Sequence, residues 1–213
     1  PPDDYFPAVR SICDRYEVLF IADEAVTGFG RTGEMFALNR WGVAPDILTF
    51  AKGVTSGYIP LAGMQISDSI HHAIETAPED EYWAHGFTYT GHATACAVAL
   101  KNIEIIEREE LLLNALRMGE MLQKGLESLL EFSCLDNVRG LGLLCGVEFV
   151  KDRATREPDP ELAMKVYRGC LEKGMRARPI GNTMVFAPSL IINKEEVNQI
   201  IDILGAVLDS MQM

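Results

Sequence analysis

Two ionisable residues stand flush against the ends of apolar runs, and the chemistry open to this chain starts with them. Asp23 follows "VLFIA" (18–22), and Lys52 follows "ILTFA" (47–51). Each run is short and continuously apolar, as a strand buried on both faces reads. In open α/β sheets, ligands bind beyond the carboxyl ends of the strands. A carboxylate placed there is costly unless a cation pairs with it. A lysine there is rare, because lysine is almost never buried unpaired. Its desolvated amine would suit condensation with a carbonyl. Taken singly, Asp23 reads equally as a cap or surface acid and Lys52 as a lysine reaching to water.

The stretch "ADEAVTGFGRTG" (22–33) offers a rival chemistry, because Gly28, Gly30 and Gly33 stand in a G-x-G-x-x-G frame. A dinucleotide site needs the first glycine at the strand end and the glycines opening a helix. Here "DEAVT" intervenes, and "EMFALNRWG" is no more than a short helical stretch. The frame reads better as a tight glycine turn that folds the chain back. Asp23 and Lys52, taken as a pair, match the needs of pyridoxal 5'-phosphate. That cofactor requires a Schiff-base lysine and a carboxylate that keeps its ring nitrogen protonated.

The elements that must position these groups follow from periodicity. "YFPAVRSICDRY" is helical, with Phe6, Val9, Ile12, Cys13 and Tyr16 on one side. "VLFIA", "DILTFA" (46–51) and "LAGMQIS" (61–67) are strands, giving an α/β pattern with a largely parallel sheet. "HATACAVALKNIEIIEREELL" continues, after a break, into a second helix. The stripe of Leu116, Met118, Met121, Leu122, Leu126, Leu129 and Leu130 on that helix is core packing. "VRGLGLLCGVEFV" reads as one strand interrupted by glycines. A helix closed by Gly174, two short strands around a Gly-Asn turn and a final helix capped by Asn193 with Glu196 complete an α+β module. The boundaries expected are 1–104 for the larger domain and 105–213 for the smaller.

Composition sets limits. The 213 residues are 48% hydrophobic and carry a formal net charge of -12. An acidic surface disfavours nucleic acid and anionic membranes, which need a basic footprint. The five cysteines include no C-x-x-C pair, so no metal site is expected and a reducing, cytoplasmic setting is. No run is long enough to span a bilayer, and no signal peptide is visible. The opening "PPDDYFP" reads like a chain that starts within something longer.

The motifs "FIADEAVTGFGRTG", "PDILTFAKGVTSGYIPLAG", "HGFTYTGHATACAVAL" and "RPIGNTMVFAPSL", in this order, resemble the class III aminotransferases. These are the omega or ornithine-type enzymes of pyridoxal-phosphate fold type I. The resemblance implies part of a fold type I large domain, mostly parallel sheet with helices, followed by a small α+β domain. It implies a transaminase that uses pyridoxal phosphate, an amine donor and a keto acid acceptor, and a homodimer with shared active sites. A related aminomutase or decarboxylase, or a non-catalytic half, are the alternatives.

By resemblance, Lys52 forms the Schiff base and Asp23 pairs with the ring nitrogen. Val26 lies near the ring, Thr88 donates to the cofactor phosphate of a neighbouring subunit, and Arg178 binds a substrate carboxylate. His85, His92, Tyr89 and Trp83 lie near the presumed site. Two positions depart from the family pattern. Ala25 stands where a ring-packing valine is usual, and Ser189 follows Pro188 where a second proline is usual. The motifs cover the C-terminal half of the family's chain. The half with the phosphate cup and the ring-stacking aromatic has no counterpart here, so a fragment or a split enzyme is expected.

Overall fold

The computed structural model describes residues 1–81 and 83–211. The chain divides into two compact units. The first comprises Pro1–Gly30 and Glu34–Glu109, the second Arg31–Gly33 and Glu110–Met213.

The first unit opens with helix α1, Tyr5–Arg15. Pro7 lies in its first turn, where its missing N–H costs nothing. Strand β1 (Ile21–Asp23) pairs in parallel with β2 (Ile47–Phe50), with Ala22 beside Leu48 and Asp23 beside Thr49. Strand β3 (Gly63–Ile66) runs antiparallel to β2, so this three-stranded sheet is mixed. The segment between β2 and β3 carries only a single 3-10 turn, and a parallel return usually takes a full crossover helix.

The apolar run 18–22 departs from its expectation. Only its last two residues enter the ladder, and Val18, Leu19 and Ile21 are exposed, while Ala22 is buried. β1 has one strand neighbour among the described residues, so period and composition overstated its burial. Helix α2 (Asp68–Glu75) follows β3, and α3 (Ala93–Arg108) ends the unit. α3 buries Ala95, Ala99 and Ile106.

In the second unit, α4 (Leu111–Ser128) starts after Glu110, whose left-handed backbone (φ 50°) breaks the helical run a few residues before the expected place, since Leu111 and Leu112 already belong to α4. Its Leu122 and Leu126 are fully buried and Met118 and Met121 pack beside them, so the stripe is core except at Leu116, which is exposed. The stretch expected as one strand is a hairpin. β4 (Leu135–Leu141) and β5 (Leu144–Asp152) pair antiparallel around a two-residue loop. Gly142 supplies the positive φ (55°) that such a loop demands.

β6 (Glu157–Pro158), helix α5 (Pro160–Glu172), β7 (Arg178–Ile180), β8 (Thr183–Phe186) and helix α6 (Lys194–Ser210) follow. The sheet order is β4-β5-β8-β7, with β6 beside β5, and every pair is antiparallel. Gly174 (φ 84°) follows the α5 cap, and Asn193 and Glu196 form the expected capping box on α6. Cys145 and Cys170 lie in the core, where burial pushes both thiols up to about 11 and leaves them neutral and inert. Among the described residues no helix is long and apolar enough to cross a membrane.

Candidate active site

The parallel register of β1 and β2 builds the first half of the site. Asp23 is the last residue of β1 and lies beside Thr49, and β2 runs one residue further before the chain reaches Lys52. Both groups therefore leave the same edge of the sheet, at the carboxyl ends of neighbouring parallel strands, where ligands bind in such sheets.

Asp23 is asymmetrically held. Its Oδ1 accepts from the Ala25 N–H at 3.0 Å and from the Thr49 hydroxyl at 3.2 Å. Its Oδ2 has no hydrogen-bond partner among the described residues, and the side chain is exposed. Thr49 escaped the sequence reading. The only signal was a hydroxyl in an otherwise apolar strand, and threonine is common in strands for its shape alone.

Lys52 begins a 3-10 turn, Lys52–Thr55, directly after the extended Ala51. Its backbone is left-handed (φ 44°), unusual for a residue with a side chain. The amine is exposed and has no carboxylate or other hydrogen-bond partner among the described residues.

The glycine frame serves this turn. Phe29 N–H donates to Met35 O at 2.6 Å and Gly30 N–H to Glu34 O at 3.2 Å, so the chain folds back on itself. Gly30 (φ 96°) adopts a backbone that side chains disfavour. The returning loop seats on the lysine turn. A Cβ at Gly53 would lie 3.0 Å from Phe29 Cβ and 3.1 Å from Gly28 O. No helix opens on the glycines; the next element is a 3-10 turn, Ala37–Trp41.

Glu24 anchors that turn and was also missed. Its side chain is buried, and Oε1 accepts from Leu38 N–H at 3.0 Å. Oε2 accepts from Ala37 N–H at 3.0 Å and from the Thr27 hydroxyl. The carboxylate beside Asp23 in sequence is thus buried in the protein while Asp23 itself is exposed.

The remaining predicted residues are distributed as follows. Val26 is exposed in the loop after β1. Thr88 is exposed in a turn before α3, where Phe87 N–H donates to the Thr90 hydroxyl at 3.0 Å. His92 caps α3, its Nδ1 accepting from Ala95 N–H at 3.3 Å. Trp83 and His85 lie with ring centres 5.5 Å apart and their planes tilted by 54°. Arg178 is the first residue of β7, exposed, in the second unit. Among the described residues no cluster of three His, Cys, Asp or Glu side chains could hold a metal.

The donor set of the first unit fits pyridoxal phosphate. It offers an unpaired primary amine, a carboxylate with one oxygen fixed and one open, and a hydroxyl shortly before a helix N-terminus.

Comparison with known proteins identifies the fold and the family. The fold is that of the fold type I transaminases. An amine transaminase from an uncultivated Pseudomonas species, solved in its PLP-bound form, superposes with a TM-score of 0.95 at 41% identity. That match covers 99% of this chain and 48% of the other. The aminotransferase class-III family model matches residues 1–208, and the chain belongs to that family. The putrescine–pyruvate aminotransferase of Pseudomonas aeruginosa is 39% identical over 98% of this chain and 46% of its own length. An adenosylmethionine-8-amino-7-oxononanoate aminotransferase of Anoxybacillus flavithermus is 42% identical over 94% of this chain and 45% of its own. The chain thus spans about half the length of the curated relatives it matches.

Proposed function

We propose that this chain carries the reactive lysine of a pyridoxal-phosphate-dependent transaminase that moves an amino group from an amine or omega-amino acid to a keto acid. The observation that carries this is the placement of Asp23 and Lys52 on one sheet edge, one tied at Oδ1 and the other unpaired. The names of the two relatives, acting on putrescine and on an amino-oxononanoate, support an amine substrate class.

Pyridoxal phosphate, when bound, supplies an aldehyde that condenses with amines and a ring that takes up the electrons of a carbanion. Lys52 holds it through Nζ. With the amine substrate in place, the free Nζ would be the base that takes the proton from the substrate carbon bearing nitrogen and holds it for the return step. Asp23 would offer Oδ2 to the protonated ring nitrogen, and Val26 would pack near the ring. Thr88 offers its hydroxyl to the phosphate, in the family manner across a homodimer with shared sites. Arg178 forks onto the carboxylate of the keto acid. The five unpaired thiols favour the cytoplasm as the location.

The test uses the full-length gene product, treated with pyridoxal phosphate and borohydride and then mapped by peptide mass. The reduced cofactor is expected on the Lys52 peptide. Lys52→Ala is expected to keep the fold and to lose turnover by at least about 10²–10⁴-fold. Cofactor fixed on another lysine, or substantial turnover in the variant, would overturn the proposal.

A further inference from the structure

Asn102 lies in the middle of α3, a position where asparagine is a poor helix former. Its side chain leaves the helix and grips the lysine turn. The Nδ2 group donates to Gly53 O at 2.9 Å and to Val54 O at 3.1 Å. Oδ1 accepts from the Ser56 hydroxyl at 2.7 Å. Three bonds from one amide therefore span the segment that begins at Lys52.

That segment needs a clamp. Lys52 (φ 44°) and Ser56 (φ 49°) both hold left-handed backbones without being glycine. Such conformations persist only where their surroundings over-determine them. The loop from Gly28 to Phe29 bears on one side, at Gly53, and Asn102 fixes the carbonyls of the same turn. Val54 and Thr55 are buried, and the Thr55 hydroxyl donates to Ile59 O at 2.7 Å, so the turn's far end is tied as well. The start of the turn, which aims the amine, has no tie of its own at the Lys52 side chain.

We infer that Asn102 is a positioning residue for Lys52. It holds the two carbonyls after Lys52 and so keeps the lysine backbone in the left-handed state that sets the direction of Nζ. The inference rests on the proposal that Lys52 carries the cofactor. It assigns a role to a residue on α3 whose side-chain amide is spent on the lysine turn.

The experiment uses the full-length gene product, stripped of cofactor and then mixed with pyridoxal phosphate. Two quantities are followed: the rate at which the visible band forms, and the fraction trapped by borohydride on the Lys52 peptide against time. Asn102→Asp keeps the size and the acceptor for Ser56 but turns a carboxylate toward two carbonyls; Asn102→Ala removes the clamp. Both are expected to slow attachment and lower kcat by about 10- to 100-fold, because small misplacements of a reacting group cost that much. The KM for the amine substrate should move by less than about twofold, since a residue that only positions Lys52 adds no uniform binding. Ser56→Ala, which loses one of the three bonds, should slow attachment by about 2- to 5-fold.

Variants that fold but attach cofactor at the parent rate with the parent kcat, losing only melting temperature, would overturn the inference. If the Asn102 variants fail to fold, Ser56→Ala decides, and attachment at the parent rate then overturns it. An unmodified protein that fixes no cofactor on Lys52 refutes the Lys52 assignment itself, and the inference falls with it. That result is separate from a parent that attaches normally alongside unaffected variants.

Discussion

At the residue scale, the division of labour between the two oxygens of Asp23 decides what the carboxylate can do. Oδ1 takes both the Ala25 N–H and the Thr49 hydroxyl, which fixes the side-chain torsion and leaves Oδ2 presented beyond the strand end. Hydrogen bonds to charged groups contribute about 1.5–3 kcal/mol when well made, and the 3.2 Å bond from Thr49 is long enough to fall at the lower end. Thr49→Val keeps the strand shape and removes only the hydroxyl. We expect it to weaken cofactor affinity by about tenfold, roughly the lower end of that range converted at 1.4 kcal/mol per decade. Fluorescence titration of the cofactor-free protein measures this; an unchanged dissociation constant would mean that the Ala25 N–H alone orients the carboxylate.

The same scale shows what could be read beforehand. The placement of Asp23 and Lys52 at strand ends was legible because each charge follows directly on an apolar run, but their exposure was not. Thr49, Glu24 and Asn102 were not legible. A strand threonine, the second acid of a pair and a mid-helix asparagine all have ordinary explanations, and only the folded register joins them to the site.

At the element scale, Asp46 ties the first helix to the sheet that carries the site. Its Oδ2 accepts from Phe20 N–H at 2.7 Å and from Arg10 Nη1 at 2.8 Å, while Arg10 also pairs with Asp14 at 2.8 Å. The Phe20 amide, and after it the Arg10 guanidinium, hold the Asp46 carboxyl below the usual carboxylate range. A carboxyl whose folded pKa is depressed stabilises the fold fully above its unfolded value of about 3.9. That contribution disappears as the pH falls through the lower folded value. We therefore expect the unfolding midpoint to drop as pH falls from about 4 toward 3, with a shallower drop in Asp46→Asn. Urea melts at stepped pH measure the two slopes; equal slopes would show that Asp46 does not link α1 to the sheet energetically.

Elements also mark where pattern reasoning reached and where it stopped. Helices with caps, such as α5 and α6, were legible because their start and stop residues act locally. The β4–β5 hairpin was not, because Gly142 could be read as a strand glycine until its φ of 55° placed it in a turn. The direction of β3 was equally hidden, since alternation reveals a strand but not which way its neighbour runs.

At the scale of the whole molecule, the two units bury their apolar residues very differently. The second unit holds one continuous core in which Leu122, Leu126, Val147, Phe149, Met184 and Leu204 are fully buried. In the first unit α1 buries no residue at all, and Tyr16, Val18, Leu19, Ile21, Phe87, Tyr89 and Leu100 are exposed. The total accessible surface is 13058 Å². Even two separate folded bodies, each of half the mass, would together expose only about 11,800 Å² by the usual scaling. The exposed large side chains of the first unit are of the kind that folded monomers normally cover where they form a contiguous patch. The net charge of -12 opposes association but acts through solvent, and salt screens it within about a nanometre. We therefore expect the 213-residue chain, expressed by itself, to bind an apolar dye and to self-associate on the order of 10 µM in moderate salt. Hydrogen exchange on the same sample should find α1 fast and the β5 and α4 amides slow. Light scattering against concentration, with dye fluorescence in parallel, checks the expectation. A chain that stays monodisperse and dark to the dye, with α1 as protected as α4, would mean that the apolar side chains of the first unit are covered in solution.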